Sequence, residues 1–101
     1  MNPMPRDLGS ELFRNVVKAL LTLLEYEDRS KAPTVSEFLE TSGLNRTIFF
    51  QHLKRNLENA GLVEFRVNPD RTITMHLTEK GRKLAQCLKQ CEEILKEAGV
   101  T

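Results

Sequence analysis

Gly43 most narrows what this chain can fold into, because the residues on either side of it mark helix boundaries. Thr34, with Glu37 three residues later, has the form of a capping box, in which each side chain accepts a hydrogen bond from the other's backbone N–H. Phe38 and Leu39 supply a side to bury, and glycine readily takes the left-handed conformation that ends a helix. Asn45 is placed to cap a second helix, and Leu44 and Phe49 sit where a hydrophobic staple fixes its angle of entry. Gly61 closes that helix, with Leu62 spaced to touch Leu57 in a Schellman ending. Residues 34–61 therefore predict a short helix, a tight turn and a longer helix.

The longer helix, residues 46–60, sorts into two faces at a constant helical pitch. Phe49, Phe50, Leu53, Leu57 and Ala60 share one, which is expected to be buried. Thr47, Gln51, Lys54, Arg55 and Glu58 share the other, with Ile48 and His52 at its edge.

Upstream, residues 1–9 contain two prolines and no apolar period and read as a flexible arm. Ser10 is the expected cap of a first helix reaching about Glu27. Its apolar residues, including Leu12, Phe13, Val16, Leu20 and Leu24, fill more than one stripe, so it needs cover on more than one side. Residues 28–33 form a polar connection with room for a short edge strand near residues 31–33. Downstream, Val63, Phe65 and Val67 alternate with polar residues, as do Ile73, Met75 and Leu77. That pattern predicts a hairpin pairing Phe65 with Met75 and Val67 with Ile73, because a one-residue slip would set apolar against polar side chains. Asn68, Pro69, Asp70 and Arg71 suit its tip. Thr78 then caps a last helix from Glu79 to about Ala98.

That last helix carries Leu77, Gly81, Leu84, Leu88, Cys91, Leu95 and Ala98 at alternating spacings of four and three, a heptad seam flanked by Cys87 and Ile94. Packing back on the first helix would use part of it. Two long apolar helices in so small a domain also suggest a two-fold interface, with Leu84, Leu88, Cys91 and Leu95 as its residues. Cys87 and Cys91 read first as small packing residues. No metal site is expected, since the histidines, His52 and His76, lie on other elements. An intersubunit disulfide stays open.

The chain has 101 residues, 40% apolar and 29% charged, which suits one soluble domain. No apolar run approaches the roughly 20 residues of a membrane span, and the N-terminus lacks the layout of a signal peptide. A cytoplasmic, nucleoid-associated protein without a membrane partner is the expectation. Net charge is only +1, but residues 45–83 carry 8 basic against 4 acidic side chains. A directional positive field of this kind favours a polyanionic partner. There is no glycine-rich phosphate loop, nucleophile elbow or carboxylate–histidine cluster, so neither an enzyme nor a cofactor is expected.

The order helix, helix, turn, helix, hairpin, helix resembles a winged helix-turn-helix, and particular residues carry the likeness. Thr34-Val35-Ser36-Glu37-Phe38 opens the second helix, Gly43-Leu44-Asn45 makes the turn, Gly61-Leu62-Val63 leaves the third helix, and Leu77-Thr78-Glu79-Lys80-Gly81 closes the wing. From Ser10 onward the chain is similar to small regulators of the MarR and PadR kind and to archaeal and archaeal-virus winged-helix proteins. Many of these place two leucines three apart before the glycine, whereas Leu53 and Leu57 are four apart.

The resemblance implies a mainly α fold with a small β-hairpin (α+β). It implies a winged-helix domain over residues 10–78 and a dimerisation helix over 79–101. It also implies a homodimeric regulator, a repressor by blocking promoters, that binds double-stranded DNA with residues 46–60 in the major groove and residues 63–77 on the backbone or minor groove. Arg46, Gln51 and Arg55 have the donors and acceptors to read base edges. Asn45, Thr47 and Lys54 suit phosphates, His52 lies beside them, and Arg71 at the wing tip, with Arg66 behind it, suits the minor groove. A winged helix used for protein assembly without DNA is the competing expectation; non-specific DNA coating fits the low net charge poorly.

Overall fold

The computed structural model describes residues 6–100, with side chains from Ser10 onward. Its first helix, α1 (Arg6–Asp28), starts ahead of Ser10, which lies inside the helix and is not its cap. The expected arm thus shortens: residues 6–9 are helical, and residues 1–5 fall outside the described part. Gly9 is tolerable there, since one glycine costs a helix only about 1 kcal/mol.

Helix α2 (Val35–Ser42) has the complete capping box: Glu37 N–H donates to the Thr34 hydroxyl, and Thr34 N–H donates to the Glu37 carboxylate. Gly43 ends it at φ 71°, a left-handed conformation that a side chain would oppose. Asn45 caps the following helix by accepting from the Ile48 N–H.

That helix, α3 (residues 46–59), is α-helical at Arg46–Ile48, widens into a π turn at Phe49–Leu53, and is α-helical again at Lys54–Asn59. Lys54 N–H reaches five residues back to the Phe49 carbonyl. The widening explains the leucine spacing. A four-residue step overshoots one α turn and falls short of one π turn. Combining the two keeps Phe49, Leu53 and Leu57 in line, and all three are buried. It also overturns part of the constant-pitch reading, because Phe50 and Ala60 are exposed. A Schellman close ends α3, with Gly61 N–H on the Glu58 carbonyl and Leu62 N–H on the Leu57 carbonyl.

Strands β1 (Val63–Val67) and β2 (Ile73–Leu77) pair antiparallel with Phe65 opposite Met75 and Val67 opposite Ile73, the expected register. The expected edge strand is a single bridge, Thr34 to Thr74, reinforced by Met75 N–H on the Pro33 carbonyl. It attaches the hairpin to the entry of α2.

Thr78 caps α4 (Glu79–Glu97) by accepting from the Gly81 N–H. The core gathers Leu20, Leu23 and Leu24 of α1, Phe38 of α2, Phe49, Leu53 and Leu57 of α3, Met75 of β2 and Ala85 of α4. Phe38 and Phe65 both lie against Phe49, at centroid distances of 5.6 and 6.3 Å. The helix that begins α3 is therefore gripped by α2 on one side and the hairpin on another.

Helix α4 divides along its length. Gly81, Ala85 and Leu88 pack toward the body, whereas Leu84, Cys87, Cys91, Ile94 and Leu95 are exposed. The heptad seam is therefore not one surface within the protomer. Ala85, outside the seam, lies at the centre of the contact, and Leu84 faces away. A salt bridge between Arg82 and Glu27 links α4 to α1 and raises the Arg82 pKa above its ordinary value through that hydrogen bond.

Candidate nucleic-acid interface

Side chains four apart along α3 form separate stripes, and each stripe faces a different neighbour. Phe49, Leu53 and Leu57 face the core. Thr47, Gln51 and Arg55 are exposed, with Arg55 Nη2 donating to the Gln51 carbonyl at 3.4 Å. Arg46, Phe50 and Lys54 face the hairpin side: Arg46 Cζ lies 5.9 Å from the Phe50 ring, and Lys54 Nζ lies 4.6 Å above the Phe65 ring. Lys54 also pairs with Glu58 at 2.9 Å. Its charge is thus held in place by an aromatic face and a carboxylate, and it is half-buried where sequence placed it fully outward.

Ile48, His52 and Asn56 face α1, lining a cavity of about 230 Å³ with Glu11, Leu12 and Asn15. His52 therefore stands apart from Arg46 and Arg71.

Between α3 and the hairpin lies a hollow of about 440 Å³, lined by Thr34, Val35 and Ser36 from the start of α2, Arg46 and Phe50 from α3, and Arg71, Thr72 and Ile73 from the wing. Arg46 and Arg71, distant in sequence, thus meet across one concave surface. Neither they nor Arg55 form an ion pair among the described residues, so their charges stay available to a ligand. Ser36, in the first turn of α2, adds a hydroxyl to this surface, while the Glu37 carboxylate of the capping box already occupies that helix end. Ser36, Thr72 and Phe50 are members of this surface that sequence reasoning missed. Ser36 was signalled by its place in the first turn of a capped helix.

The wing tip is a defined turn. Arg71 N–H donates to the Asn68 carbonyl, Asn68 N–H to the Thr72 carbonyl, and the Asp70 carboxylate accepts from both the N–H and the hydroxyl of Thr72. Those bonds hold the Asp70 carboxyl below its usual range. Arg71 itself sits at φ 71°, where glycine or asparagine is preferred. A residue with a Cβ pays roughly 1–2 kcal/mol for that conformation.

Arg66 lies elsewhere. It alternates with Phe65 and Val67 and so points to the opposite side of the hairpin, where it pairs with Glu64 at 2.8 Å. It lines a separate hollow with Glu27, Lys31, His76 and Arg82. In the same place burial, aided by the Arg66 charge, lowers the His76 pKa, while Glu64 opposes it. Among the described residues no three histidine, cysteine or acidic side chains gather as a metal group, and no helix is long and apolar enough to cross a membrane.

Three helices, a glycine turn between the second and third, and a two-stranded wing closing against them make this a winged helix-turn-helix, with two arginines lining the hollow between α3 and the wing. The chain belongs to the family of ArnR1-like winged-helix domains, which it matches over residues 8–95. Among curated proteins, none matches in sequence.

Solved structures share the fold. A protein of Archaeoglobus fulgidus, AF1382, superposes with a TM-score of 0.72 at 21% identity, covering 79% of this chain and 86% of its own. MepR, a transcription regulator of the Staphylococcus aureus multidrug efflux pump MepA, superposes at 0.66 with 17% identity, covering 94% and 78%. Sso10a-2, a DNA-binding protein from Sulfolobus solfataricus, superposes at 0.61 with 18% identity, covering 81% and 82%.

Proposed function

We propose that this protein is a sequence-specific regulator of transcription that binds double-stranded DNA as a homodimer and represses by occupying promoter DNA on the nucleoid. The observation that carries the reading is the meeting of Arg46 and Arg71 across the hollow beside α3, next to the exposed stripe of Thr47, Gln51 and Arg55. A duplex presents base edges in its major groove and a phosphate strand beside it. In this reading the exposed stripe of α3 enters the major groove, with Gln51 and Arg55 on base edges. The hollow receives the flanking phosphate strand, held by Arg46 and the Ser36 hydroxyl, and Arg71 reaches the backbone or minor groove. MepR is a transcription regulator and Sso10a-2 a DNA-binding protein, and both agree with this use of the fold. His52 and Arg66 are given no direct contact.

Selection of bound fragments from a random duplex pool tests the reading. A palindromic motif should be enriched, with affinity falling steeply as salt rises from low to moderate concentration. Arg46→Ala and Arg55→Ala should each weaken binding to the selected duplex by roughly 1–3 kcal/mol. If nothing is enriched, or if neither substitution changes affinity, α3 is not a DNA reader.

A further inference from the structure

Phe50 is 47% exposed, and among the described residues it is the one large apolar side chain of α3 left open to solvent. Its ring is not loose. It stands edge-on to the buried Phe49 ring at a centroid distance of 5.2 Å and an interplanar angle of 87°, with Arg46 packed over it. The surroundings are cationic and hydroxylic: Ser36, Arg46, Arg71 and Thr72 share its hollow. A surface with two guanidinium groups beside the ring is a poor seat for an apolar protein surface, because docking would strip water from charges left without partners.

A DNA duplex offers both parts of the match. Its phosphates satisfy the cations, and its major groove carries one apolar feature, the 5-methyl group of thymine, which an apolar side chain such as phenylalanine can contact. We propose that Phe50 is a specificity-determining residue that reads a thymine methyl in each half of the binding site. The proposal rests on the reading of α3 as the DNA-reading helix and names one base that this helix selects. The methyl lies near the wall of the groove, next to its own strand's backbone. Phe50 stands at the corresponding position in the protein, between the exposed stripe of Thr47, Gln51 and Arg55 and the hollow assigned to the phosphates. The π turn contributes the placement, since at constant α pitch Phe50 would belong to the buried face.

The test uses the full chain and the duplex selected from the random pool, with each thymine in turn replaced by deoxyuridine, which lacks only the methyl. Loss of one buried methyl should weaken the wild-type complex about fourfold at the contacted position and leave the other positions unchanged. Phe50→Ala should bind the thymine duplex about tenfold more weakly and no longer distinguish thymine from deoxyuridine. Phe50→Leu, which keeps an apolar side chain and guards against loss of folding, should retain the discrimination. Equal wild-type affinity for thymine and deoxyuridine at every position overturns the proposal, as does a selected motif without thymine or discrimination that survives Phe50→Ala. A salt-sensitive motif in any of those cases leaves the DNA-reading function standing. A pool in which nothing is enriched ends both.

Discussion

Arg71 shows how one residue can be kept against the preference of its own backbone. The turn from Asn68 to Thr72 is closed by hydrogen bonds that do not involve the arginine side chain. Glycine at this left-handed position would satisfy the same turn with less steric cost. A cation there, lining the same hollow as Arg46, fits a side chain with work to do outside the protein. Arg71→Gly should therefore separate the two roles. Stability should hold or rise by up to about 1 kcal/mol as the left-handed penalty is relieved, while affinity for selected DNA falls and the salt dependence of binding shallows by about one phosphate contact. Denaturant titration and binding at several salt concentrations read the two quantities on the same variant. Unchanged affinity would remove the wing tip from the interface.

At the level of elements, sequence was most informative where side-chain chemistry acts within a few residues. Thr34 with Glu37, Gly43, Asn45, Gly61 and Thr78 each mark a boundary found in the structure, and alternation alone set the hairpin register. It was least informative where a neighbour decides. The π turn begins at Phe49, where Phe38 and Phe65 pack against it, and a wheel of fixed pitch sends Phe50 to the wrong side. The concave pairing of Arg46 with Arg71 depends on how the wing folds back. Arg66 could have been separated from it by the alternation that placed Phe65 and Val67.

The seam of α4 hid a similar limit, because its close approach to the α3 exit is made at Gly81. A Cβ there would stand 2.0 Å from the Leu62 carbonyl oxygen. Around it Thr78 donates to the Gly61 carbonyl at 2.6 Å and Lys80 to the Ala60 carbonyl at 3.0 Å. The end of α3 is thus fastened to the start of α4. Gly81→Ala must push these backbones apart and should destabilise the protein by about 3 kcal/mol in denaturant titration, the upper part of the usual range for overpacking. A loss below about 0.5 kcal/mol would mean that the junction yields freely and does not hold α3 in position.

For the whole molecule, the uncovered apolar surface and the positive hollow are separate features with a common consequence. Ile94 and Leu95 on the far half of α4 are 57% and 53% exposed, and Phe13 on α1 is 66% exposed. Cys87 and Cys91 are exposed as well, as free thiols. Such a surface would be buried if a second copy supplied the cover that α1 and α4 lack, and pairing would present two copies of α3 to successive half-sites. Two tethered readers bind a palindrome more tightly than one reader by an effective-concentration factor of about 10²–10⁴. Replacing Ile94 and Leu95 together with arginine should therefore yield a folded monomer by light scattering. Its affinity for the selected palindrome should fall by about a hundredfold or more, while its affinity for an isolated half-site stays at the wild-type value. Because the substitutions lie far along α4 from Arg46 and Phe50, a matching loss on the half-site would point to damage in the reader instead of loss of pairing. A wild-type protein that is itself monomeric at micromolar concentration would leave the far half of α4 without this role.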